Sequence, residues 1–220
     1  MAAGPRSSLR DLNVNSGKDR GLADVCGSMK RHLFASILLL TGFAHAGPEK
    51  LFTAPNLEGW KTQGASYWSV ADGVLTGQSD DKKKNSVLWS EKSYKDFTVE
   101  LEFRYSGDID SGVFLRHENE QIQIGVSRSL KRDMTGSPYI GSKRGYPQEA
   151  SGAKEVLKEG EWNRMKIVAK GHTYTVSLNG KQVIEYISDT AKESGPIGFQ
   201  VHPGVKMKIE FRDVTVTPLE

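Results

Sequence analysis

Arg116, Gln121, Gln123, Arg128, Lys131, Arg132, Asp133 and Tyr139 fall within one stretch of the chain, Ser111 to Tyr139. Arginine and lysine can hold a carbonyl or anionic oxygen. A carboxamide offers a donor beside an acceptor, and a carboxylate can take a proton. His202, with Gln200 two residues before it, adds a group that changes charge near neutral pH. Such groups gathered on one surface suit a polyhydroxylated ligand. The same pattern also fits the solvated outer face of a sheet.

The elements that must position these groups can be read from the period-two alternation of strand side chains. In Ser111–Arg116, Val113 and Leu115 would face one way, Phe114 and Arg116 the other. A polar turn, His117 to Glu120, leads to a second run in which Ile122 and Ile124 point inward and Gln121 and Gln123 outward. An antiparallel pair would thus carry Arg116, Gln121 and Gln123 on its non-core side and feed an irregular loop, Ser127 to Ser137.

The remainder of residues 47–220 reads as all-β. Asp72-Gly73 and Asn179-Gly180 are hairpin turns between alternating runs. Phe97, Val99, Leu101 and Phe103 alternate with Thr98, Glu100, Glu102 and Arg104, a long half-buried strand. Further strands are predicted around Trp89, Trp162–Val168, Tyr174–Leu178, Val183–Ile187, Ile197–His202 and Met207–Val216. No amphipathic helix stands out. Short strands and glycine-rich turns at regular spacing predict a two-sheet sandwich or jelly roll.

Ahead of this domain the composition changes. Residues 1–28 are small and polar, as in a disordered or untranslated extension. From Met29, a basic Lys30-Arg31-His32 precedes the apolar run Leu33–Phe43 and then Ala44-His45-Ala46, the layout of a secretory signal peptide cleaved after Ala46. This predicts a secreted or periplasmic protein starting at Gly47. Residues 1–46 hold six Lys/Arg and three Asp/Glu, so the totals of 30 and 27 leave 24 of each sign beyond them. A balanced domain gives no electrostatic reason for a nucleic-acid partner. Cys26 is the one cysteine, so residues 47–220 have no disulfide or thiolate site. Phosphate-binding glycine loops, a Ser-His-Asp order and nucleotide motifs are not found.

Seven pieces in order resemble the 3-keto-disaccharide hydrolase family. They are Leu51-Phe52 through Leu57-Glu58-Gly59-Trp60; Trp68-x-Val70-x-Asp72-Gly73-Val74-Leu75; Tyr94-x-Asp96-Phe97 leading into Glu100-x-Glu102-Phe103-Arg104; and Ser111-Gly112-Val113-Phe114-Leu115-Arg116. The others are Gly160-x-Trp162-Asn163 before Leu178-Asn179-Gly180; Gly195-Pro196-Ile197-Gly198-Phe199-Gln200-x-His202; and Phe211-Arg212-Asp213-Val214. The resemblance implies a concanavalin-A-like jelly roll of two curved antiparallel sheets with its ligand on the concave face. It also implies action on glycosides already oxidised to a ketone at sugar carbon 3, by lyase or hydratase steps. Many relatives carry a glutamate where this chain has Gln121, and an acid shortly after Gln123, where it reads Ile124-Gly125-Val126. Either other residues do the chemistry or the chain binds sugar without turnover, as a carbohydrate-binding module.

A ketone at carbon 3 acidifies the proton on carbon 2, and the enolate can expel the group on carbon 1. This asks for a base, a partner for the enolate oxygen and an acid for the departing oxygen. No facing carboxylate pair of the kind a direct glycosidase needs is visible, which favours elimination. Arg116 suits the enolate oxygen, or else pairs with Glu100 or Glu102 as a structural bridge. His202 suits the base or acid; Asp133 is the alternative base, or a loop cap. Lys131 could donate to a hydroxyl or the leaving oxygen, or lie exposed. Gln121, Gln123 and Gln200 would orient hydroxyls, with Glu102 and Tyr139 completing the substrate-binding set. A divalent metal held by His202, Asp133 and a glutamate stays open, since no metal-ligand spacing is visible. The expected partner is a sugar or glycoside.

Overall fold

The computed structural model describes residues 47–219, so the leader segment and Cys26 lie outside the described residues. Fifteen strands follow in chain order: β1 (Glu49–Lys50), β2 (Trp60–Gly64), β3 (Trp68–Ala71), β4 (Val74–Gln78), β5 (Ser86–Ser90), β6 (Phe97–Tyr105), β7 (Asp110–Leu115), β8 (Gln121–Ser127), β9 (Arg132–Asp133), β10 (Pro138–Tyr139), β11 (Asn163–Lys170), β12 (Thr173–Leu178), β13 (Lys181–Ile187), β14 (Ile197–Val201) and β15 (Lys208–Pro218). Two single-turn helices, α1 (Gly141–Arg144) and α2 (Ala153–Val156), lie between β10 and β11.

The strands form two antiparallel sheets. One has the order β13-β12-β11-β6-β15-β4-β3, with β1 added to β15. The other runs β10-β8-β7-β14-β5-β2, with β9 added to β8. The alternation that predicted β6 holds: Phe97, Val99, Leu101 and Phe103 are buried between the sheets. From the second sheet Leu88, Val113, Leu115, Ile122, Ile124, Ile197, Phe199 and Val201 meet them. Phe199 packs against Phe211 with ring centroids 4.8 Å apart. Fully burying a side chain of this size contributes roughly 1.5–3 kcal/mol, so this interleaved layer holds the sheets together. The hairpin turns form as their residues dictate. Asn179 and Gly180 have φ of 49° and 85°, the left-handed pair that a two-residue turn between twisted strands requires.

The β7–β8 hairpin is the part that positions the site. Its register sets Asp110 opposite Gly125, Gly112 opposite Gln123 and Phe114 opposite Gln121. With Val113 and Leu115 on the core side, these six residues share the outer face. Strand phase ends at Leu115. Arg116 has φ +69°, outside the strand region, and the predicted alternation does not reach it.

Candidate functional site

Ladder registers arrange the outer face of the second sheet in rows. The first row runs Tyr139, Gln121, Phe114, Gly198, Trp89, Lys61 across six strands. The second runs Gln123, Gly112, Gln200, Val87, Gln63; Gln200 meets Val87 directly and Gly112 by extension of the β7–β14 register. A third begins at Asp110, whose carbonyl accepts the His202 backbone N–H at 3.3 Å. The glycines leave room for neighbours. A Cβ on Gly112 would lie 2.5 Å from the Gln121 amide nitrogen, and one on Gly198 would lie 2.6 Å from the Trp89 ring.

A cleft of about 250 Å³ opens on these rows, lined among others by Asp110, Phe114, Gln121, Gln123, Gln200 and His202, with Tyr139, Tyr146, Arg128 and Glu118 around it. Asp110 is 4% exposed and forms its floor. One carboxylate oxygen accepts the Gln123 Nε2 hydrogen bond at 2.9 Å, and the other accepts the Arg128 backbone N–H at 3.1 Å. The Arg128 guanidinium is gripped by Asp108, and its Nε stands 3.6 Å from Asp110 Oδ2. That grip holds the Asp108 carboxyl below its ordinary value. Gln121 Nε2 donates to Gln200 Oε1 at 2.7 Å, joining two strands across the cleft.

His202 sits at the edge of this network. Its Nδ1 is 2.6 Å from the Pro203 carbonyl. A carbonyl only accepts, so the proton belongs on Nδ1, which leaves Nε2 with the lone pair in the neutral ring. Nε2 lies 3.9 Å from Asp110 Oδ2, too far for a hydrogen bond, so the nitrogen stays open to a ligand with the carboxylate beside it. Tyr139 and Tyr146 pack ring to ring at 5.1 Å. Burial raises both phenols above their ordinary value, so they stay protonated and can donate through neutral pH. The site thus offers a free imidazole nitrogen backed by a carboxylate, protonated phenols, and a row of carboxamides.

Residues 47–217 match the model of the 3-keto-alpha-glucoside-1,2-lyase-like domain. The chain belongs to that family. No curated protein matches it. Among solved structures, a candidate glycosyl hydrolase from Parabacteroides distasonis is similar at 25% identity and TM-score 0.60, over 79% of this chain and all of that one. A protein with a galectin-like fold from Bacillus subtilis is similar at 15% identity and TM-score 0.52, over 79% of this chain and 96% of that one. The exoplasmic domain of VIP36, in a form bound to Ca²⁺ and Man3GlcNAc, is similar at 12% identity and TM-score 0.56, over 78% and 87%. The fold is therefore the concanavalin-A-like jelly roll of two curved antiparallel sheets.

Within this lyase-like domain, Gln121, Gln123, Gln200, His202 and Tyr139 come together at the cleft. Four other residues singled out from the sequence do not. Arg116 is 1% exposed. Its guanidinium donates to the carbonyls of Lys95 at 2.8 Å and Gly171 at 2.6 Å, and to Asp96 at 3.1 Å. The positive φ at Arg116 turns its side chain away from the Gln121 face, and the bridge goes to Asp96 rather than to Glu100 or Glu102. Asp133 serves as a loop cap, accepting the Thr135 N–H at 2.8 Å, and lines a separate hollow beside Glu149. Lys131 is an exposed turn residue at φ +53°. Glu102 belongs to the other sheet, where it accepts from Arg212 Nε at 2.7 Å.

Arg128 of the opening stretch also lines the cleft, as do Asp110, Glu118 and Tyr146, which had been given no chemical role from the sequence. A signal for Asp110 existed: it lies two residues before Gly112 and four before Phe114, on the same strand parity. The proposed metal set does not assemble, because Asp133 lies outside the cleft. His202 and Asp110 are two ligand-type groups 3.9 Å apart, and among the described residues no third His, Cys, Asp or Glu joins such a group. No step is therefore routed through a metal. A larger hollow of about 410 Å³ lies beside Phe52 and Trp60. Glu49 pairs there with Lys92, and Glu91 with Lys61. Among the described residues no helix is long and apolar enough to cross a membrane.

Proposed function

We propose that this chain is a carbohydrate-active enzyme that cleaves 3-keto-glycosides by elimination. One observation carries the reading: His202 Nε2, left free by the Nδ1 bond to Pro203, faces the buried Asp110 carboxylate in a cleft lined with carboxamides. His202 takes the proton from carbon 2, and Asp110 stabilises the imidazolium that forms. The Tyr146 hydroxyl and the Arg128 guanidinium meet the negative charge that builds on the ketone oxygen. Carbon 1 then releases its oxygen substituent, and the His202 imidazolium passes the proton it took from carbon 2 to that oxygen, which returns the ring to its neutral form. Gln121, Gln123 and Gln200 hold the ring hydroxyls. The family to which the chain belongs, and the name of the Parabacteroides neighbour, support this class of chemistry.

A second reading is a sugar-binding module without turnover. Gln121 favours it, since its amide is already paired with Gln200 and cannot exchange a proton. Incubating the chain from Gly47 with a 3-keto-disaccharide, with and without divalent cations, separates the two. Release of the second sugar supports the enzyme, and binding without release supports the module. In the enzyme, His202→Ala lowers turnover by about 10²-fold or more. An unchanged rate removes His202 from the mechanism.

A further inference from the structure

The outer face of the second sheet has another half that the chemistry above leaves unused. Phe114 lines the cleft, and its ring stacks on Trp89 at 5.1 Å, so an aromatic surface continues the Gln121 row sideways from the cleft. Trp89 is part-exposed. Its ring lies across Gly198, where a Cβ would come within 2.6 Å of it. Its indole N–H donates to Gln63 Oε1 at 2.9 Å. Trp89 is thus fixed on three sides, by Phe114, by the bare backbone of Gly198 and by Gln63. A ring pinned flat at the end of a polar cleft is suited to receive the C–H face of a sugar, with Gln63 and Lys61 beside it as donors to hydroxyls.

The spacing fits a ligand longer than one ring. Phe114 lies four residues from Asp110 along β7, about 14 Å at roughly 3.4 Å per residue. The cleft touches both ends of that span. A keto sugar seated over His202 and Asp110 would lie on the Gln123–Gln200 row, and whatever it carries on carbon 1 would extend toward Phe114.

We infer that Trp89, with Phe114 behind it and Gln63 at its edge, forms the subsite that holds a pyranose leaving group and gives this chain its discrimination between leaving groups. The inference rests on the reading under Proposed function, which supplies the position of the reacting ring.

The test compares 3-keto-glucosides that differ only in the leaving group: a glucose, a methyl group and a nitrophenyl group. Trp89→Ala is expected to lower kcat/KM for the glucose-bearing substrate about tenfold, a typical value for one aromatic contact, and to leave the methyl glycoside within about twofold. Gln63→Ala should affect the glucose leaving group and spare nitrophenyl, which has no hydroxyls to bind. Trp89→Phe keeps the packing on Phe114 and should give an intermediate loss, which guards against misfolding of the alanine variant. Equal losses on glucose and methyl substrates, or no loss on either, overturn the subsite. If no substrate is turned over, the elimination reading fails and the subsite is judged by equilibrium binding instead. The 3-keto-disaccharide should then bind more tightly than the methyl 3-keto-glucoside, by a margin that Trp89→Ala abolishes. Equal affinities in the unmodified protein overturn it.

Discussion

The β7–β8 hairpin carries a cluster of charge at each end, and the two have opposite fates. At the open end, Asp110, His202 and Arg128 face a cleft. At the turn, Arg116 and Glu120 are sealed in, at 1% and 0% exposure. Glu120 Oε1 accepts the hydroxyls of Ser188 and Thr190 at 2.7 and 2.6 Å. Tyr174 lies between them, its phenol raised by burial, then by the nearby Glu120 charge. The sealed cluster ties the turn to residues flanking β12 and β13 of the other sheet. Both ends combine a carboxylate, a guanidinium and an aromatic hydroxyl. What separates them is access: at the turn the acceptors of Arg116 are supplied by the chain itself, whereas at the cleft a free imidazole nitrogen and two phenols remain for a ligand.

The largest effect expected from this contrast is on stability. Arg116→Met removes the guanidinium and leaves Asp96 and the carbonyls of Lys95 and Gly171 without its compensation. Breaking a buried pair from one side costs about 3–5 kcal/mol, so chemical denaturation should show a loss of that size. Turnover per folded molecule should be unchanged at a temperature where the variant remains folded. A loss of turnover with full stability would make the two ends exchange roles.

Asp110→Asn probes the other end. The amide oxygen can accept from only one of Gln123 Nε2 and the Arg128 N–H, and the amide NH2 then faces the other donor, so stability should fall by about 1–3 kcal/mol. The negative charge behind His202 is gone, and kcat should fall by about 10²-fold. A variant that unfolds instead would class Asp110 with Glu120, as structure.

The contrast also explains what could be read in advance. The sandwich was legible because alternation over β6, β11, β12 and β15 reports burial directly, and Asp-Gly and Asn-Gly mark hairpins. The half of the site on strands, Gln121, Gln123 and Gln200, was legible for the same reason, and His202, one residue past β14, keeps that direction because its N–H still pairs with the Asp110 carbonyl. Arg116 was misplaced because alternation was carried one residue too far: Leu115 ends the strand, and a single positive φ sends the next side chain elsewhere. Asp133 and Lys131 failed because loop residues have no periodicity to reveal their direction. Tyr146 could not be placed on the cleft from the sequence, since it reaches Tyr139 through an irregular segment after α1.

A smaller effect concerns alkaline pH. Tyr105, Tyr146 and Tyr174 are each held well above the ordinary phenol value of 10.0, with burial the leading cause, and Tyr94 is pushed up to about 12. The folded chain keeps these protons where the unfolded chain releases them. Their contribution is complete below pH 10 and is lost as pH rises from 10 through the folded values. Tyrosinate absorbance should lag behind free tyrosine and then rise together with loss of the far-ultraviolet β signal. Smooth titration of Tyr174 in a still-folded chain would show that the sealed end is open to water.

The smallest effect sharpens the cleft itself. Tyr146→Phe removes one donor and keeps the ring packed on Tyr139, so stability should barely move. If the hydroxyl meets the ketone oxygen only as charge builds there, kcat should fall about tenfold while KM stays nearly constant, since an interaction made mainly in the transition state leaves ground-state binding alone. Tyr174→Phe at the sealed end is the matched control: the same atom is removed from a phenol that no ligand can reach. It should leave both kinetic constants unchanged. Equal effects from the two substitutions would mean that access does not distinguish the clusters, and a rise in KM alone for Tyr146→Phe would assign its hydroxyl to sugar binding rather than to the enolate.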